Sequence, residues 1–125
     1  MSAQGPNPSD RIEASAPGAL TILTIGRFGP ESDAHIRKRK PSVIATSFPV
    51  LDATLLGRVA PDAIAFSLID PEADAIQVIE RLVQLGFRGE AIIFAPRLPD
   101  RQMILRELRG LAKGMTVTLV EPGEA

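Results

Sequence analysis

A doubly wound α/β fold with one parallel sheet at its centre is what this sequence predicts, on three observations. From Gly18 onward, short apolar runs of strand length alternate with segments of helical period. Pro or Gly marks the junctions between them, where one kind of element must stop and the other begin. The chain has 125 residues, 45% hydrophobic and 23% charged, which suffices for one buried core and leaves no length for a second.

The elements follow in order. Residues 1–17, MSAQGPNPSDRIEASAP, are rich in Ser, Pro, Ala and Gly without a sustained apolar period, and read as a mobile tail ahead of a domain over 18–125. Leu20 to Ile25 is a strand closed by Gly26, and a polar helix from Pro30 to Lys40 follows, ended by Pro41. Ser42 to Thr46 is the second strand, and Phe48 to Val59 the second helix, with Ser47 as N-cap and Pro49 in its first turn. Ala63 to Leu68 is the third strand. The third helix, Asp74 to Leu85, places Ile76, Ile79, Leu82 and Val83 on one inward stripe and stops at Gly86. Ala91 to Ala95 is the fourth strand, and Pro99 to Lys113 the fourth helix, with Ile104, Leu105, Leu108 and Leu111 inward. Thr116 to Val120 is the fifth strand. Strand-helix units in this order and at this length predict the flavodoxin-like arrangement, strand order 2-1-3-4-5.

Composition excludes several functions. A formal net charge of -1 offers no bulk attraction to nucleic acid or to anionic membrane. The absence of cysteine removes disulfides, thiolate zinc sites and thiol catalysis together. Tyr and Trp are absent too, and with Phe66 and Phe94 inside strand runs little remains for base stacking. The N-terminal residues lack the apolar core of a signal peptide, and no run reaches the length of a membrane span, so a cytoplasmic protein is expected.

The block PDAIAFSLIDPEADAIQVIERLVQLGFRGEAIIFAP, followed after the fourth helix by VTLVEP, resembles the receiver domain of bacterial two-component response regulators. That family's central run has the form PDxxxxDxxMPxxDG, and its last strand ends in Lys-Pro. The resemblance covers roughly residues 19–122, with Pro61, Asp62, Pro71, Asp74 and Pro122 in register. What it implies chemically is an Asp ending strand three that accepts a phosphoryl group from phosphohistidine and a pair of acids after strand one that holds Mg²⁺. It also implies a Thr or Ser ending strand four and a Lys ending strand five, which bind the phosphoryl oxygens.

Carried over residue by residue, none of this chemistry survives. The phosphoacceptor position is Ser67, the acid pair is Gly26 and Arg27, the hydroxyl position is Ala95 and the lysine position is Glu121. The strand-five aromatic that reports phosphorylation in the family is Thr118. A pocket offering Gly26, Arg27 and Ser67 lacks the carboxylates a Mg²⁺ ion needs, so neither metal nor cofactor is expected, and no catalytic residue. Ser67 lacks a G-x-S-x-G setting, and the single histidine, His35, stands in the segment after strand one. A small residue tolerated at a strand end is the cheaper explanation.

Three charge features remain. Arg27 and Glu121 reverse the family's signs and are expected either to pair across the old pocket or to stand as two solvated side chains. Asp70, Glu72 and Asp74 form an acidic loop, explained by solubility and by capping of the third helix. His35-Ile36-Arg37-Lys38-Arg39-Lys40 is either the solvated C-terminal end of a helix or, with Arg27, a contact surface for an acidic partner or an anion.

Receivers also have a fifth helix packed beside helix one. Only three residues follow Pro122 here, and helix one offers only Ala34 and Ile36 as apolar residues between Pro30 and Lys40. One face of the sheet is therefore expected to be under-covered, closed by a second copy, a partner, the tail through Ile12 or, if the natural protein is longer, its own fifth helix. The function expected is a phosphorylation-independent pseudo-receiver, not an enzyme. It would act in bacterial signal transduction as a homo-oligomer or by binding a signalling protein. The alternative is a sensor whose Arg27, Arg37, Lys38, Arg39 and Lys40 bind an anionic nucleotide such as a cyclic dinucleotide.

Overall fold

The computed structural model describes residues 20–123; the tail, with Ile12, lies outside the described residues. Five parallel strands form one sheet: β1 (Thr21–Ile25), β2 (Ser42–Thr46), β3 (Ala63–Ser67), β4 (Glu90–Phe94) and β5 (Thr116–Val120). Their order is β2-β1-β3-β4-β5, the flavodoxin-like order expected, with β2 and β5 at the edges. The described helices are α1 (Pro30–Arg37), α2 (Ala53–Val59), α3 (Ala75–Gln84) and α4 (Arg101–Leu111).

The Pro61-Asp62 pair has a structural role at the N-terminal edge of the sheet. Asp62 accepts from the Thr21 N–H at 2.8 Å, while its own N–H donates to the Thr21 carbonyl, which fixes β3 against β1. A Cβ on Gly89 would stand 2.5 Å from the Asp62 carbonyl oxygen, so the chain can pass from α3 into β4 here only as glycine.

Three of the four described α-helices start alike: Asp52, Asp74 and Asp100 each cap a helix by accepting the N–H three residues on, whereas α1 starts at Gly29-Pro30 without a side-chain cap. At Asp74 the Gln77 side chain returns the bond, completing a capping box. The second helix differs from expectation. Phe48–Val50 is a 3₁₀ turn, Ser47 makes no side-chain cap, and α2 starts afresh after Asp52. The cause is Leu51, extended and buried, whose carbonyl accepts from the Arg81 guanidinium at 3.0 Å while that guanidinium lies 4.5 Å from the Phe48 ring centre.

The main core lies between the sheet and α2, α3 and α4, where Phe66, Ile64, Ile93, Ile79 and Leu82 are fully buried. Each such side chain contributes about 1.5–3 kcal/mol by leaving water. The inward stripes are phased differently from expectation. Ala75, Val78, Ile79 and Leu82 point inward on α3, so Val83 is half-buried and Ile76 is 48% exposed. On α4, Leu105 and Leu108 point inward, Ile104 is half-buried, and Ala112 takes the inner place that Leu111 was expected to fill. In both cases a buried alanine, Ala75 at the start of α3 and Ala112 just after α4, adjoins a bulkier residue that stays outside the core.

The opposite face corrects a second expectation. Ile22, Ala63, Ala65, Ile92, Phe94 and Val120 are all at most 7% exposed, so among the described residues the central strands leave no bare apolar patch there, and only β2, with half-buried Val43 and exposed Ala45, is less covered. Helix α1 is as weak as its sequence indicates, burying only Ile36. The face has little to cover: β3 presents Ala63 and Ala65, and three rings fill the space beyond them. Phe28 and His35 both meet Phe94 edge-on, at centroid distances of 5.5 and 5.6 Å.

Candidate functional site

In an open parallel sheet, ligands and chemistry belong at the C-terminal ends of the strands, at the point where the strand order reverses. Here that point lies between β1 and β3. Gly26 leaves β1 with φ of +87° and donates its N–H to the Thr46 carbonyl. Beyond it opens a cavity of about 490 Å³ lined by Gly26, Arg27, Thr46, Ser47, Asp70, Pro71 and Glu72.

Asp70 accounts for Gly26. One of its carboxylate oxygens accepts from the Glu72 N–H at 2.8 Å, and the other lies 2.9 Å from where a Gly26 Cβ would stand. A side chain at position 26 would have to displace Asp70, which occupies the space that an acid after β1 would need. Arg27 is exposed at the mouth, and among the described residues its guanidinium forms no ion pair.

Ser67 is the last residue of β3, half-buried, with Phe94 beside it in register. His35 packs its ring on the same Phe94, but its Nδ1 is buried without a hydrogen-bond partner, and no hydrogen bond joins His35 to Ser67 among the described residues. Among the described residues, then, no side-chain base is hydrogen-bonded to the serine. Ala95 is buried in the main core and donates its N–H to Val120.

Glu121 departs from the expected pairing with Arg27. It turns instead to the loop between β4 and α4, accepting from the Leu98 N–H at 2.7 Å and pairing with Arg101 at 3.5 Å. Arg101 also donates to the Leu119 carbonyl at 2.8 Å. The end of β5 and the start of α4 are thus clasped by one carboxylate and one guanidinium. Arg101 prevails because it stands in the first turn of α4, beside the end of β5, whereas Arg27 follows the distant β1. Thr118 donates its hydroxyl to Glu90 at 2.7 Å and is held as a satisfied polar residue.

The cations expected to form one anion site are not brought together. Helix α1 runs from the C-terminal end of β1 to the N-terminal end of β2, so Arg27 and the Arg37–Lys40 run lie at opposite ends of strands about 16 Å long. Arg37 is bound to Asp33 at 3.1 Å, and Arg39 to Glu90, at the start of β4, at 3.5 Å. Lys38 and Lys40 are exposed. Among the described residues no group of three or more His, Asp or Glu is placed to hold a metal ion, and no helix is long and apolar enough to cross a membrane.

Two features escaped sequence reasoning. The Glu121–Arg101 clasp joins residues with no local pattern to link them. An apolar groove between α3 and α4 had a signal: six of the ten α3 residues are apolar, more than one inward stripe uses.

No family model matches the chain, and no curated protein matches it. Solved structures do. The N-terminal domain of an uncharacterized protein from Wolinella succinogenes is similar with a TM-score of 0.55 and 19% identity, over 86% of this chain and 85% of that one. The two-electron reduced flavodoxin of Megasphaera elsdenii is similar with a TM-score of 0.53 and 12% identity, over 83% of this chain and 90% of its own. At these identities the likeness establishes the flavodoxin-like fold and nothing finer.

Proposed function

We propose that this chain is a receiver-like domain that works without phosphorylation, as a protein-interaction module in bacterial signal transduction in the cytoplasm. The observation that carries this reading is the clasp at Glu121. In the family that the sequence resembles, the strand-five lysine and the strand-four hydroxyl respond to a phosphoryl group. Here a carboxylate stands at the lysine position and already holds the Leu98 N–H and Arg101. The loop is fixed by the protein's own charges, and a second anion in its place would be repelled by Glu121.

Ser67, Ala95 and the Asp70-filled space over Gly26 support the same reading, since each removes one partner that phosphoryl transfer needs. A nucleotide sensor finds no comparable support, because Arg27 stands apart from the Arg37–Lys40 run. The test is incubation with acetyl phosphate and Mg²⁺ followed by intact-protein mass spectrometry. Unmodified protein is expected; a phosphorylated Asp or Ser would overturn the reading.

A further inference from the structure

The residues that the helical stripes turned outward meet in one place. Ile76 of α3 and Leu111 of α4, with Ile69 from the β3–α3 loop and the half-buried Ile104, line a groove of about 250 Å³. Ile69 is 72% exposed, Ile76 48% and Leu111 38%. Isolated exposed aliphatics are ordinary, but these share one concave wall, which is the arrangement that marks an interaction surface. A space of about 150 Å³ takes a benzene ring, so this groove takes one or two aliphatic side chains.

Charge decides among occupants. The charged residues lining the groove are Asp74 and Glu107, both acidic. A second copy docked groove to groove would bring these carboxylates toward their own counterparts, a like-charge arrangement that disfavours the pair. The chain's own basic run does not suit the groove in a second copy either, because its one large apolar residue, Ile36, is buried under α1. The complementary occupant has apolar side chains and positive flanks. From Ile104 to Leu111 the α4 wall spans two helical turns, about 10 Å, which matches apolar residues at i, i+3 or i+4, and i+7 of a partner helix.

We propose that the α3–α4 groove docks an amphipathic helical segment of a partner protein, with a two-turn apolar stripe flanked by Lys or Arg. The proposal rests on the interaction-module reading above and supplies its surface. Both walls are regular helices with capped N-termini, so the groove is preformed and binding requires little ordering of this chain.

The test uses the full chain and two labelled synthetic helices of about 14 residues, long enough for about four turns. Both carry the same Leu stripe, one with Lys flanks and one with Glu flanks. Fluorescence anisotropy is expected to show the Lys peptide binding at least about tenfold more tightly, and methyl NMR to place its contacts on Ile69, Ile76, Ile104 and Leu111. Glu107→Lys should reverse the preference between peptides. Ile76→Ser should weaken the Lys peptide about tenfold while the thermal midpoint of this exposed position stays in place. Equal binding of both peptides, contacts elsewhere, or a dimer in light scattering that buries the groove methyls would overturn the proposal. Those outcomes leave the module reading standing, whereas phosphorylation by acetyl phosphate would defeat that reading whatever the peptides do.

Discussion

The two faces of the sheet reverse what counting their covering helices would suggest. The α1 side has one short helix with a single buried residue, yet the apolar residues of its central strands, Ile22, Ala63, Ala65, Ile92 and Phe94, are closed from water. The other side has three helices and the larger core, yet the exposed apolar groove lies there. What separates them is side-chain size. On the α1 face the central strand offers alanines and three rings meet beyond them, so a thin cover suffices. On α3 and α4 the inward places go to Ala75, Val78, Ile79, Leu82, Leu105 and Leu108, while Ile76 and Leu111 stay outside the core.

This contrast can be broken by substitution. Phe66→Ala in the main core should cost about 4 kcal/mol in urea unfolding, and Phe94→Ala on the α1 face nearly as much, about 3 kcal/mol, because both rings are buried. A cost under about 1 kcal/mol for Phe94 would mean that the thin side is not a true core. Next in size is Glu121→Ala, which takes the acceptor from the Leu98 N–H and one of its partners from Arg101; we expect about 2 kcal/mol, with faster amide exchange at Leu98. Wild-type exchange at that amide would show the clasp to be dispensable. His35→Phe should raise stability by about 1 kcal/mol, since it removes a buried nitrogen that has no partner and keeps the edge-on ring. A destabilised variant would point to a bond made by that nitrogen. Smallest is Ile76→Ser, expected within about 0.5 kcal/mol of wild type, whereas a loss above about 2 kcal/mol would place Ile76 in the core after all.

The five strands were legible because each is a short run of apolar and β-branched residues between Pro or Gly breaks, and their order because strand-helix units of this number and length favour one arrangement. Capping by Asp74 was legible for the same local reason. Helical phase was not. Six apolar residues in ten leave the inward direction of α3 undetermined even when its start at Asp74 is known, and packing in the core selects Ala75, Val78, Ile79 and Leu82. The split at Leu51 depends on Arg81, thirty residues away in sequence, and no local pattern announces it. The vacancy at Gly26, Ser67 and Ala95 was readable as a set of missing groups. The partner that Glu121 takes instead was not, because pairing across loops is settled by tertiary geometry.

The clasp also sets an order of completion. Leu98 precedes Glu121 by 23 residues, so the β4–α4 turn exists as chain well before the carboxylate that will hold it. During vectorial synthesis that turn is made before its acceptor, and β5, which emerges after it, leads into Glu121, the group that finishes it. In pulse-labelled refolding, the Leu98 amide should gain protection together with β5; protection arriving with α3 would show that the turn closes without its acid.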